Sequence, residues 1–332
     1  MIITDYTQVK QVYSDAAKKG WTLPCLCSEN QTTTEAILAA ACEFGKRLGQ
    51  PLPVIIAITV NYTGRTQAVY YSNARDWETG LRLFKNDVEI LAGSGGIYSD
   101  AQVLLHLDHI QPDLDKPLLD SGLEGFSSIM YDASALPFDD NIRLTSEFAE
   151  LYGGKILIEG ACDEINEATG DVHGGLTRPL NALRYMKETG VDMIVANLGT
   201  EHRAAGNELK YHADLAREIK ELIGTNIVLH GASSVSSSQI ERLFDDGVCK
   251  VNIWTALERE SGKALLYEMV KNASLAGGAE VVDKLIAEGY LTEKCRTGQK
   301  INIGYFTQTY RNAVMFKQVK QMVLDYFALW YV

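Results

Sequence analysis

The chain has no run of about eighteen consecutive apolar residues, so nothing in it reads as a membrane-spanning helix. Its opening residues are polar and lack the apolar core of an export signal. The expectation is a cytoplasmic protein with no membrane partner. Basic clusters are missing too: 31 Lys and Arg stand against 43 Asp and Glu, a formal charge of −12, which argues against a nucleic-acid partner. The six cysteines, Cys25, Cys27, Cys42, Cys162, Cys249 and Cys295, have no CxxC spacing. Without an export signal they read as reduced, buried thiols rather than disulfides or zinc ligands. No GxxxxGK[ST], GxGxxG or GxSxG pattern occurs. Gly93-Ser94-Gly95-Gly96 precedes a strand instead of a helix and reads as a loop, and nothing supports acyl transfer.

What is present is an ordinary globular composition, 46% apolar and 22% charged over 332 residues, with a regular series of short β-rich runs. The runs are Trp21 to Ser28, Pro53 to Thr59, Val103 to His109, Gly125 to Asp132, Lys155 to Gly160, Asp192 to Gly199, Asn226 to Gly231 and Cys249 to Thr255. Helical periodicity fills most intervals: Thr33 to Leu48, Asn141 to Tyr152, Pro179 to Thr189, His212 to Ile223 and Ser238 to Asp246. Local signals support two of these. Ser238 with Glu241 fits a capping box, and Gly190 after Lys187-Glu188-Thr189 fits a helix stop with a cation in the last turn. Runs such as Met193 to Ala196 are continuously apolar, as in a parallel sheet covered on both faces.

Eight such strand–helix units close most economically into a (β/α)8 TIM barrel, an α/β fold. The expected organisation is one domain, with a barrel core over about 21–265 and a helical C-terminal extension over about 266–332. Residues 61–96, between the second and third strands, are expected to form a helical insertion and a loop over the mouth. The apolar tail Tyr326 to Val332 would form an exposed patch unless covered, and is read as part of a subunit contact in a homodimer or homotetramer.

In this architecture the C-terminal strand ends carry the chemistry. The third strand ends His106-Leu107-Asp108-His109, the fourth at Asp132, the fifth at Glu159, the sixth runs into Glu201-His202, and the seventh ends at His230. Three histidines converging on one mouth suit a divalent ion such as zinc in a site left open to substrate. Strict alternation sends His106 and Asp108 to one side and Leu107 and His109 to the other, but at a strand end the last residue can turn inward. The ligand is therefore taken to be His109, not His106. Asp108 has two readings, an acceptor that orients an imidazole or a general acid/base. Glu159 and Asp132 either hold a second or shifted metal position or balance charge at the mouth. His230-Gly231-Ala232-Ser233-Ser234 places small residues where barrels commonly bind phosphate.

These residues resemble the class II, metal-dependent fructose-bisphosphate and tagatose-bisphosphate aldolases from about Trp21 to Leu265. The resemblance lies in Leu105 to His109, Ser128 to Ser134 with Leu136-Pro137-Phe138 and Asn141-Ile142, Gly199 to His202, Leu229 to Ser233, and Lys250 to Ile253. It implies a carbon–carbon lyase with Zn2+ on His109, His202 and His230, room for a monovalent cation, and Glu159 and Asp132 in the neighbouring metal region. Asp108 becomes the acid/base at the acceptor carbonyl. Glu167, after the fifth strand, falls near the family's proton-transfer glutamate, although the family's glycine-rich loop is not reproduced. Thr59, Arg203, Gly231, Ser233, Asn252 and Thr255 are the implied substrate contacts. The implied reaction cleaves a phosphorylated or similarly anionic ketose, through an enediolate, to a ketone such as dihydroxyacetone phosphate plus an aldehyde. No Schiff-base lysine is needed, and Lys250 begins the eighth strand instead of ending it.

Arg203, Ala232-Ser233-Ser234, Trp254, Cys27 and Thr59 depart from the family's usual residues, and all lie near the donor or its phosphate. The substrate is therefore as open to another acidic ketose as to a sugar bisphosphate. The alternatives are a metal-dependent sugar-phosphate isomerase or epimerase, and a non-catalytic sugar-phosphate-binding protein on the same fold.

Overall fold

The computed structural model describes residues 1–164, 175–201 and 209–332. A first helix, α1 (Tyr6–Lys18), leads into β1 (Leu23–Cys27), α2 (Gln31–Leu48) and β2 (Pro53–Ile58). The insertion follows as α3 (Gln67–Tyr70) and α4 (Trp77–Ala92). Next come β3 (Gln102–Ile110), α5 (Lys116–Ser121), β4 (Ser128–Tyr131), α6 (Phe138–Tyr152), β5 (Leu157–Ala161), α7 (Pro179–Thr189), β6 (Met193–Val195), α8 (Ala213–Ile223), β7 (Ile227–Leu229) and β8 (Val248–Ile253). The chain continues as α9 (Thr255–Lys271), α10 (Ala273–Ala287), α11 (Ile303–Phe306) and α12 (Gln308–Trp330). All neighbouring strands are parallel and β8 returns to β1, closing an eight-stranded barrel. No described helix is long and apolar enough to cross a membrane.

Helices cover one face of the strands and the barrel lumen the other, so every residue of β1, β2 and β8 is buried, Lys250 and Asn252 included. Local signals place several helix ends. Asn30 accepts from the Thr33 N–H to cap α2, and Gly190 stops α7 in the left-handed conformation, φ 71°.

One expectation is corrected, and the tail finds cover within the chain. Ser238 to Asp246 is not an α-helix: a short 3-10 turn at Ser237–Gln239 is followed by overlapping turns up to β8, and the Ser238 hydroxyl faces Ser236 Oγ at 3.1 Å. The Ile240 carbonyl, which an α-helix would offer to Phe244, instead accepts the Trp330 indole N–H at 2.7 Å. That same contact anchors the tail. Phe327, Trp330 and Tyr331 are buried within the chain, α12 packs along α2 and α9, and the Tyr331 ring meets Trp21 edge-on at 4.9 Å. Phe327, Trp330 and Tyr331 are thus covered by the chain itself, at the end where the strands begin.

Candidate active site

At the other end, β3 delivers two consecutive side chains to one point. Opposite β4 the register runs His106↔Ser128 and Leu107↔Ile129, then jumps to Ile110↔Tyr131, so β3 carries one residue too many. The excess is absorbed at His109, whose φ of 50° is one of two positive values at described non-glycine residues. The bulge breaks the alternation that would point His109 away from Asp108. One ligating atom each from Asp108, His109 and His230 now lies within 4.8 Å of the others, all three side chains being buried. The His109 and His230 rings meet edge to face, 4.9 Å apart and 88° to each other.

Asp132, at the end of β4, accepts from His109 Nδ1 at 2.7 Å, which fixes the ring and leaves Nε2 as the nitrogen for a metal. Ser134 donates to the same carboxylate from its hydroxyl at 2.6 Å and its N–H at 3.2 Å. Burial opposes ionisation of Asp132, but the bonds from His109 and Ser134 outweigh it and hold the group below its ordinary pKa. Two imidazoles and a carboxylate, buried and convergent, are a donor set that zinc accepts.

Asp108 has no exposed surface. Asn252 Nδ2 donates to its Oδ1 at 2.9 Å, Arg65 Nη2 to its Oδ2 at 2.6 Å, and the Cys27 thiol stands 3.6 Å from Oδ2. Burial would raise its pKa, yet Arg65, with His109 and His230 behind it, keeps the carboxyl well below the usual carboxylate range. Arg65 escaped the sequence reading. It lies in the insertion just after β2, its guanidinium 5.6 Å from the Tyr62 ring centre and 5.3 Å from that of Trp254. Tyr62 in turn stacks on the His109 ring at 4.2 Å and 17°. The signal that could have found this pair was the position of Tyr62-Thr63-Gly64-Arg65 directly after a strand's C-terminal end.

Beside the cluster lies a narrow recess lined by Tyr62, Arg65, His230, Gly231, Ser233, Asn252, Trp254 and Thr255. Four expected substrate contacts, Gly231, Ser233, Asn252 and Thr255, therefore line the same recess. Thr59 does not join them: its hydroxyl donates to the Arg65 carbonyl and its N–H to Gln67 Oε1 at 2.9 Å, so it pins the insertion loop instead. Ser234 knits its loop in the same way, donating to the Gly231 carbonyl at 2.6 Å and accepting from the Glu201 N–H at 3.1 Å. Trp254 donates from its indole to Glu29.

Glu159, expected in the metal region, is instead engaged by Lys250, whose Nζ stands 2.8 Å from its carboxylate and 3.2 Å from His106 Nε2. Lys250 does start β8, as the sequence indicates, but its long side chain crosses the lumen to β5 and β3. Burial works against the ammonium, yet Cys25, Glu159 and Asp108 keep its pKa above the ordinary value. His106 Nδ1 faces Ser128 Oγ at 2.8 Å and stays off the metal cluster. Glu167, His202 and Arg203 lie outside the described residues.

A closed parallel barrel with histidine and carboxylate donors converging at the C-terminal strand ends defines a metal-binding (β/α)8 enzyme. The family model "Fructose-bisphosphate aldolase class-II" matches residues 7–321, and the chain belongs to that family. It is accordingly an aldolase, a carbon–carbon lyase. Among curated relatives, the fructose-bisphosphate aldolase of Treponema pallidum is 29% identical over 286 residues, covering 74% of this chain and 80% of its own. That of Geobacillus stearothermophilus is 26% identical over 279 residues, covering 82% and 89%. The solved fructose-bisphosphate aldolase of Campylobacter jejuni superposes with a TM-score of 0.73 at 19% identity, over 99% of this chain and 95% of its own. The YdjI aldolase of Escherichia coli K12 gives 0.65 at 19% identity, over 99% and 97%. At those identities the structures share the fold.

Proposed function

We propose that the protein is a zinc-dependent aldolase of a phosphorylated or similarly anionic ketose, with His109, His202 and His230 as ligands and Asp108 as acid/base. The observation that carries this reading is the convergence of Asp108, His109 and His230 produced by the β3 bulge. A divalent ion held there by His109, His202 and His230 would supply Lewis-acid polarisation of the donor carbonyl.

The remaining work falls to the chain's own residues. Asp132 holds the His109 ring in the tautomer that presents Nε2. Asp108 takes the proton from the hydroxyl next to the breaking bond, and Asn252 holds its carboxylate by donating to Oδ1. The wall from Gly231 to Thr255 positions the donor fragment: Gly231 adopts φ 68° at the end of β7, and Thr255 opens α9, whose first N–H groups favour an anion. Glu159 is proposed to anchor Lys250, and Thr59 to pin the loop that carries Arg65.

The test is aldehyde release from a panel of ketose phosphates and other acidic ketoses, with chelator and with zinc restored. Chelator-sensitive release from any member supports the reading and identifies the donor. Interconversion of ketoses without aldehyde, or bound metal with no turnover, overturns it in favour of an isomerase or a binding protein.

A further inference from the structure

Asp108 can accept a substrate proton only if the hydroxyl reaches a carboxylate that is already covered by donors. Of the three described donors to it, Cys27 belongs to β1 and Asn252 to β8, while Arg65 comes from a loop and reaches in from the mouth. Arg65 and Asn252 both line the recess, and the carboxylate behind them has no exposed surface. A hydroxyl that hands its proton to Asp108 must therefore come to rest beside one of these two donors. Arg65 is the charged one. The rings of Tyr62 and Trp254 flank it, and Tyr62 also stacks on His109, so the guanidinium bonds the proton acceptor from beside the ring that covers His109.

A guanidinium can bridge two oxygens with parallel N–H groups, which an ammonium does less well, and it keeps its charge at any working pH. We propose that Arg65 is a catalytic residue of the acceptor half-reaction, donating one N–H to Asp108 and another to the substrate oxygen that becomes the aldehyde carbonyl. The proposal rests on the aldolase reading above. In cleavage the hydroxyl proton passes to Asp108, the O–H electron pair becomes the second C–O bond of the aldehyde, and the C–C electron pair stays with the donor fragment. Arg65 neither gains nor loses a proton, and stabilises the oxygen while it carries alkoxide charge. In synthesis the same N–H polarises the incoming aldehyde. The donor's own loss of a C–H proton involves no aldehyde oxygen and needs no Arg65.

Two half-reactions therefore separate the roles. Exchange of donor C–H for deuterium, followed by proton NMR with dihydroxyacetone phosphate, dihydroxyacetone or hydroxypyruvate and no aldehyde, reads the donor half. Aldol formation with glycolaldehyde, glyceraldehyde or glyceraldehyde 3-phosphate reads both. For Arg65→Gln we expect unchanged zinc content and exchange within about threefold of wild type, with aldol kcat lower by roughly 10²–10³-fold. Arg65→Lys should recover about tenfold of that loss, and it carries the comparison if the Gln variant does not fold. Parallel loss of exchange and aldol formation would place Arg65 in the donor half or in the fold, and an unchanged aldol rate would leave it no catalytic part; either overturns the proposal. Wild-type protein that exchanges none of the three donors overturns the zinc-dependent reading proposed above, and this inference with it.

Discussion

Lys250 and Glu159 meet at 2.8 Å inside the barrel, and neither side chain has any exposed surface. Truncating one partner of such a pair leaves an uncompensated buried charge, whereas replacing both with apolar groups need cost little. Lys250→Met should therefore lower unfolding free energy by about 3–5 kcal/mol. The double variant Lys250→Met with Glu159→Leu should regain most of it. Urea unfolding of the three proteins decides the matter, and a single variant as stable as wild type would show that the pair adds nothing.

The bond from His109 Nδ1 to Asp132 makes a separate forecast. Asp132→Asn keeps the shape but loses the charge that orients the imidazole, so zinc affinity should fall by roughly 10–100-fold. Competition with a chromophoric chelator measures this directly. Unchanged affinity would mean that the ring is held by its packing under Tyr62.

Gly231 is strained for any other residue. Its φ is 68°, and a β-carbon there would lie 2.7 Å from the Glu201 carbonyl oxygen and 2.8 Å from its nitrogen. Both obstacles are backbone, so they cannot rotate away. Gly231→Ala should cost at least about 1–3 kcal/mol and displace the adjacent recess wall. A calorimetric melting temperature equal to wild type would contradict this.

Glu258 supplies the pH dependence. Burial, with the Glu29 charge adding to it, raises its pKa from 4.5 to about 7. Below the unfolded value both states are protonated and the group is silent. As pH rises from there, the unfolded chain gives up its proton while the folded chain keeps it, so stability falls and levels off above about pH 7. The loss is about 3 kcal/mol from the size of the shift. Glu258→Gln should flatten this slope and be the more stable protein at alkaline pH, as measured by denaturant melts across the range. An equal slope in both proteins would assign the dependence to another group.

The sequence carried the barrel because each unit announces itself locally. A strand such as Ile227 to Leu229 is apolar throughout, α7 ends at a glycine, and both signals involve near neighbours in the chain. It also carried His109, His230 and Asp108, since strand ends are legible and their residue types stand out. It failed at Ser238 to Asp246, where a capping pattern was present but Trp330, ninety positions away, claimed the Ile240 carbonyl. The same distance hid the tail's destination. An apolar segment shows that it must be covered, and nothing in it says by what.

Amino-acid order by itself thus determined an eight-stranded α/β barrel with histidines and carboxylates gathered at one mouth, because periodicity and strand termini are written in residues a few positions apart. Only the tertiary structure decided that His109 turns inward at a bulge, that Glu159 serves Lys250 across a separation of 91 residues, and that Arg65 covers Asp108 from 43 residues upstream. Those pairings follow from barrel closure, which brings walls and loops together irrespective of their spacing along the chain, and no local pattern encodes which charge will face which.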